Sequence, residues 1–220
     1  MDDPSLDAHE HAAALRGLER LNFMSGSADI VWQQLETLAK RSGGSTISIL
    51  DIATGSGDIP IALALRSKSS RLKLKLSGCD VSETAVRLAT SKAQTKGAAV
   101  EFFCLDAVND PLPGRYDVIV TSLFTHHLDP AEVAQLLRKM HEHAAKMVIV
   151  NDLERSRISY SLVWLATRIV TTSKVVHYDG PVSVQAAYTM KEFSEMAVQA
   201  GLSGARVSRK FPCRLLLTCQ

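Results

Sequence analysis

The chain has 220 residues, of which 46% are hydrophobic and 22% charged, and its formal net charge is +2. That is enough for one domain with a full core, and the near-neutral balance excludes an acidic or basic extreme that would point to a particular partner. The basic residues are scattered rather than gathered into a stripe for nucleic-acid phosphates, no apolar run has bilayer-spanning length, and the opening MDDPSLDAHEHAAAL is acidic and polar, unlike a secretory leader.

Residues 1–44 read as a helical extension to a single domain over 1–220. His11–Arg20 and Ile30–Arg41 carry apolar residues at helical spacing, with Asn22–Ser27 as a joint. Ser42-Gly43-Gly44-Ser45 is a stop. Strands and helices then alternate: strand Ile47–Ile52, helix Ile59–Arg66, strand Leu72–Cys79 ending at Asp80, and a helix capped by Ser82 that runs to Lys96 and stops at Gly97. Strand Val100–Leu105 ends at Asp106, strand Tyr116–Ser122 follows, then helix Pro130–His143 and strand Lys146–Val150. Apolar strands separated by helices predict a parallel sheet covered on both faces. Beyond it, the pattern predicts a long amphipathic helix Ser156–Lys174, a loop Val175–Tyr188, and a helix Lys191–Ala200 capped by Thr189. Two short strands, Ala205–Lys210 and Arg214–Cys219, form a terminal hairpin on the sheet edge. The four cysteines, Cys79, Cys104, Cys213 and Cys219, have no CxxC spacing and read as buried thiols of a reducing cytoplasm.

The most informative segment is ILDIATGSG, Ile49–Gly57: a buried strand running into a Gly-Ser-Gly turn and a helix start. Gly55 and Gly57 tolerate positive φ and close ligand approach, and the helix start offers free N–H groups. Ligands of an open parallel sheet bind outside the carboxyl ends of its strands. Here those ends carry Asp51, Asp80 and Asp106, followed after the fourth strand by Ser122, Phe124, His126 and His127. An acid just before the glycine loop repels phosphate, which disfavours a dinucleotide. S-adenosyl-L-methionine has no phosphate, and its ammonium, ribose diol and adenine amino group are all donors for such acceptors.

In its ordered motifs ILDIATGSG, GCDVS, FFCLDA and RYDVIVTSLFTHHL, the chain from Ile47 to Gln220 resembles the class I S-adenosylmethionine-dependent methyltransferases. The resemblance is to the small-molecule kind, similar to bacterial enzymes of quinone and polyketide-like pathways. It implies a Rossmann-like seven-stranded α/β sheet, mostly parallel with an antiparallel C-terminal hairpin strand and helices on both faces. It implies that the loop Ala53, Thr54, Gly55 and Gly57 carries the cofactor, with Asp51 and Gly55 at its methionine end. Asp80 then takes the ribose hydroxyls and Val81 packs on adenine. Asp106 and Ala107 face the adenine amino group, and Ser122 and Leu123 border the methionine part. Ala53 stands where the family usually has glycine. Arg20 and Phe23 of the N-terminal joint are candidates to close over the cofactor, and S-adenosyl-L-homocysteine is the implied product.

Methyl transfer is an in-line displacement, so alignment carries much of the rate, and a phenol or enol acceptor profits from a base. His127 is the first candidate base and His126 the second. Residues 151–188 are the expected acceptor cap, supplying Tyr160, Trp164, Arg168, His177 and Tyr178 with Phe124 below. The expected acceptor is a small phenolic or polyketide-like molecule, with O-methylation first and quinone-type C-methylation second. The sequence predicts no metal, no nucleic-acid partner and no membrane span. It allows a homodimer, and a cytoplasmic enzyme is the expectation.

Overall fold

A computed structural model describes residues 26–41 and 45–220. The expected helix His11–Arg20, and with it Arg20 and Phe23, lie outside the described residues.

The chain runs α1 (Ser27–Arg41), β1 (Ile47–Ile52), α2 (Asp58–Ser67), β2 (Leu74–Asp80), α3 (Glu83–Lys96), β3 (Val100–Cys104), β4 (Tyr116–Ser122), a 3-10 turn (Thr125–His127), α4 (Pro130–His143), β5 (Ala144–Leu153), α5 (Arg157–Val170), α6 (Lys174–Ala186), α7 (Met190–Gln199), β6 (Arg206–Lys210) and β7 (Arg214–Cys219). The sheet order is β3-β2-β1-β4-β5-β7-β6. β7 alone runs against its neighbours, lying between β5 and β6. The expected mixed seven-stranded sheet is therefore present.

Alternation along the strands divides the core. Ile47 and Ile49 of β1 pack with α1, α2 and α3 on one face, through Trp32, Leu35, Ile61 and Ala93. Leu50 and Ile52 pack with α4 and α7 on the other, through Leu136, Leu137, Phe193 and Met196. Asp51 shares the face of Ile49, and Asp152 that of Val148 and Val150. The chain order reverses between β1 and β4, so the crevice above that pair is the topological switch point where sheets of this kind take ligands.

Local signals explain the well-placed boundaries. Ser82 accepts the Ala85 N–H and Gly97 sits at φ 62, which brackets α3. Asp129 and Glu132 form a capping box at α4, with Pro130 in its first turn, and Thr189 and Glu192 do the same for α7. The segment after β5 departs from expectation. The single helix Ser156–Lys174 is two, broken after Val170 in the β-branched run Ile169-Val170-Thr171-Thr172, which loses rotamer freedom in a helix. The predicted loop Val175–Tyr188 is instead largely α6, with Pro181 inside it. A mid-helix proline costs about 3 kcal/mol, and tertiary contact offsets it: Val176, Pro181 and Val184 are buried. Cys104 also departs. It is exposed because β3 is an edge strand, while Cys79 and Cys219 are buried, Cys213 is half-buried, and all four are free thiols.

Among the described residues, no helix is long and apolar enough to cross a membrane.

Candidate active site

The carboxyl ends of β1, β2 and β4 bring Asp51, Asp80 and Ser122 to one edge, with Asp106 just past β3. Two non-glycine residues there adopt left-handed backbone, Ala53 at φ 54 and Leu123 at φ 57, one after each strand of the switch point. Such residues cost about 1 kcal/mol or more and concentrate at ligand sites. Leu123 is held by its N–H to the Asn151 carbonyl at 3.0 Å. Ala53 is thus more than a mild departure from glycine, because the backbone keeps the conformation glycine would favour.

The two loop glycines differ. A Cβ on Gly55 would meet nothing within 4 Å, so its face is open for a ligand. A Cβ on Gly57 would meet the Phe102 ring at 2.6 Å, and one on Gly78 would meet it at 2.8 Å. Gly57 therefore makes room for an aromatic ring beneath the loop rather than for a ligand above it.

Each acid has its own environment. Asp51 is buried and accepts the Thr54 hydroxyl at 2.7 Å. Burial pushes its carboxyl up to about 7, the charges of Asp80 and Asp58 add to the rise, and the Thr54 bond offsets only part of it. A cation beside it would reverse that cost, which fits an ammonium-bearing ligand. Asp80 accepts the Gly55 N–H at 2.8 Å through one oxygen and the Ser82 N–H at 3.0 Å through the other, so it ties the loop to α3. Val81 beside it is 67% exposed, an apolar surface open to a flat ring. Asp106 accepts the N–H groups of Val108 and Asn109 and the Asn109 side-chain amide. Those Asn109 and Val108 bonds hold it below the usual carboxylate range, with Lys139 adding to them. Its oxygens thus already serve its own turn, next to buried Ala107. Asp117 lies at the opposite end of the sheet, bound to Ser48 and Lys146, a structural acid as expected.

The Asp51 environment has a measurable consequence. Its folded pKa of about 7 lies above the unfolded value of about 3.9, so its contribution to stability is complete below about pH 4 and is lost as pH rises through about 7, a swing of roughly 4 kcal/mol. A cationic ligand needs the ionised form. Calorimetry with S-adenosylhomocysteine is expected to show affinity rising about tenfold or more from pH 5.5 to 8, with proton release below pH 7 that Asp51→Asn removes. Binding with no proton linkage would refute this.

The histidines after β4 separate clearly. His126 is buried, whereas His127 is exposed and its ring lies against His126, tilted by 38° with centroids 4.1 Å apart. The His126 Nδ1 lies 2.7 Å from Asp152 Oδ1. Asp152 is buried and also accepts the Thr125 hydroxyl at 2.5 Å, the His126 backbone N–H at 3.2 Å and the Leu153 N–H at 2.6 Å. Burial alone would raise this carboxyl, but the His126 charge and these bonds outweigh it and hold it down at about 2. An ionised carboxylate only accepts, so Nδ1 carries the proton and Nε2 is left as the basic nitrogen. Arg214, buried on β7 opposite Leu153, places a cation near this carboxylate: burial lowers its guanidinium to about 10 and the Asp152 charge opposes that fall. Tyr188 closes the same region, donating its hydroxyl to the Leu128 carbonyl.

From the sequence alone Asp152 had no assigned role, and its pairing was missed. The available signal was alternation along β5, which puts an acid on an apolar face beside Val148 and Val150, where it needs partners. Among the described residues, no cluster of three or more metal-binding side chains forms.

The cap residues do not converge. Tyr160, Trp164 and Arg168 form one outward row of α5, with the Arg168 guanidinium 3.9 Å over the Trp164 ring. His177 lies 2.7 Å from the Thr171 carbonyl, closing the turn between α5 and α6, and Tyr178 is exposed. Phe124 is half-buried against the α4 side of the core.

Comparison with known proteins supports the same reading. Residues 49–146 match the family model described as a methyltransferase domain. The ubiquinone/menaquinone biosynthesis C-methyltransferase of Paraburkholderia phytofirmans is 24% identical over 196 residues, covering 84% of this chain and 79% of that protein. The release factor glutamine methyltransferase of Bacillus anthracis is 35% identical over only 90 residues, or 40% of this chain and 30% of that protein. Among solved structures, a putative O-methyltransferase from Nostoc punctiforme is 20% identical with a TM-score of 0.66, covering 94% of this chain. This chain spans only 59% of that protein's length. The plantazolicin methyltransferase BamL, in complex with a triazolic desmethylPZN analog and S-adenosylhomocysteine, has a TM-score of 0.68 at 19% identity, covering 90% of this chain and 70% of that one. At such identities the structural likeness speaks for the fold.

Proposed function

We propose that this chain, a class I S-adenosylmethionine-dependent methyltransferase of the small-molecule kind, methylates a phenolic or hydroquinone-like acceptor whose hydroxyl proton is taken by His126. The observation that carries this reading is the buried His126–Asp152 pair at the end of β4 and β5, 2.7 Å apart. Asp51 and the Gly55 backbone hold the methionine end of the cofactor, Asp80 the ribose and Val81 the adenine face. Leu123 and Ser122 border the sulfur side. Thr54 orients Asp51, and Ala53 shapes the loop by its left-handed backbone. Gly57 acts from below, through Phe102. Asp106 and Ala107 shape the turn beside the adenine.

The cofactor, when bound, supplies an electrophilic methyl group on a sulfonium. The chain's own work is alignment and proton handling. His126 Nε2 accepts the proton of the acceptor hydroxyl, and Asp152 stabilises the resulting imidazolium through Nδ1. With the cofactor bound, the electron pair freed on oxygen would form the bond to the methyl carbon that the sulfonium supplies, and the carbon–sulfur pair would leave on sulfur as a neutral thioether. The Thr125 hydroxyl and the Leu153 N–H help keep Asp152 ionised throughout.

A phenolate is nucleophilic at oxygen and at the ring carbons beside it, so one base serves both outcomes. O-transfer is the first reading. C-transfer is the second, favoured by the similarity over 84% of the chain to a quinone-pathway C-methyltransferase. Incubation with methyl-labelled S-adenosylmethionine and a panel of resorcinols, hydroquinones and naphthols tests both. A labelled methoxy carbon marks O-transfer and a labelled aryl methyl marks C-transfer. Transfer to a release-factor peptide with none to any phenol would sink both readings.

A further inference from the structure

Helix α5 is built inside out. Its buried positions are Ser159 and Thr167, and Gly180 of α6 crosses so closely that a Cβ there would meet Thr167 Cγ2 at 2.7 Å. Its large apolar side chains face outward: Ile158 is 73% exposed, Leu162 40%, Leu165 50% and Ile169 74%, with Trp164 at 43%. The four aliphatic residues follow one another at helical spacing and form a single stripe. Their exposed area with Trp164 is on the order of 500 Å², near the upper end for the largest patch on a monomer.

The charge around the stripe is one-sided. α5 itself holds Arg157 and Arg168 and no Asp or Glu, with Arg155 just before it and Lys174 after it, while Glu154 and Asp179 bound the segment. Arg155 is bridged to Glu192 on α7. At 100° per residue, Arg157 and Arg168 share the flank of Trp164 and Tyr160, beside the aliphatic stripe. An aliphatic stripe, interfacial aromatics, arginines with long apolar stems and no acid together make a surface for an anionic bilayer. A second copy fits it less well. A two-fold pairing would match Ile158 with Ile169 and Leu162 with Leu165, and would set Arg157 beside Arg168 of the second copy, like charge against like.

We propose that α5 docks the protein on anionic lipid, lying in the plane of the headgroups. Its 14 residues make about 21 Å of helix, too short to cross a bilayer. α5 begins just after β5, so docking brings the lipid surface near the His126–Asp152 pair. The attachment rests on the helix face alone and stands apart from the acceptor chemistry.

Cosedimentation of the full chain with phosphatidylcholine vesicles, with and without a quarter phosphatidylglycerol, tests this at moderate salt. The wild type is expected to bind the anionic vesicles at least tenfold more tightly than the neutral ones. Leu162→Glu with Leu165→Glu should abolish binding. Arg157→Ala with Arg168→Ala should weaken it about tenfold and flatten its salt dependence. All variants should keep wild-type circular dichroism and S-adenosylhomocysteine affinity, because the altered side chains face outward. Failure of the wild type to bind either vesicle overturns the proposal, as does binding undiminished in both variants. A solution dimer that Leu162→Glu with Leu165→Glu dissociates, without vesicle binding, assigns the face to a second copy and overturns it equally.

Discussion

Asp152→Asn is expected to lower kcat by about 10²–10³ while leaving S-adenosylhomocysteine binding unchanged. Asparagine keeps the volume, but its amide donates where the carboxylate accepts. His126 Nδ1 would then turn acceptor, Nε2 would carry the proton, and the base would be lost without moving the ring. His126→Ala should cost a similar factor, and added imidazole should restore part of the rate, which a purely structural role would not allow. If Asp152→Asn unfolds the protein, through Thr125, Leu153 and Arg214 losing their partner, the His126→Ala rescue still decides the matter. Activity within threefold of wild type in both variants would remove the base assignment, and loss in His127→Ala alone would move it to His127.

Asp80→Ala should weaken S-adenosylhomocysteine about a hundredfold or more by calorimetry. Two effects add. The variant removes the acceptor proposed for the ribose hydroxyls, and hydrogen bonds to a charged group contribute about 1.5–3 kcal/mol each. It also frees the Gly55 and Ser82 N–H groups that Asp80 holds at 2.8 and 3.0 Å, so the loop loses its tie to α3. Asp106→Ala is the contrast. Its oxygens accept three hydrogen bonds, all from its own turn, against two at Asp80, so the expected loss is several-fold and comes mainly from a loosened turn. Equal effects at the two positions, or unaffected binding in Asp80→Ala, would contradict this division.

What the sequence made legible follows the range of the interactions. Caps and stops at Ser82, Gly97 and Thr189 act within one turn of helix, and they appear in the structure as read. The three acids at strand ends were legible because strand alternation and the sheet rule place them without knowledge of packing. Asp152 was not, since its partners Thr125 and His126 lie on another element and Arg214 on a third. α6 was hidden for the opposite reason. Its local signal, Gly180-Pro181, says loop, and packing against α5 and the 3-10 turn overrides it. The order β5-β7-β6 depends on pairing between distant segments, so a terminal hairpin could be predicted while its placement between partners could not be derived from either strand alone.

Phe102 gives the glycine loop a neighbour that the loop's own sequence does not mention. Its ring occupies the space opened by Gly57 and Gly78, and it belongs to β3, the outermost strand on its side of the sheet. The floor of the glycine loop is therefore supplied by an edge strand, which is paired on one side only. Linkage of this kind is reciprocal: a ligand that fastens the loop also fastens the edge, and anything that pairs with or pries at that edge is felt by the ligand with the same free energy.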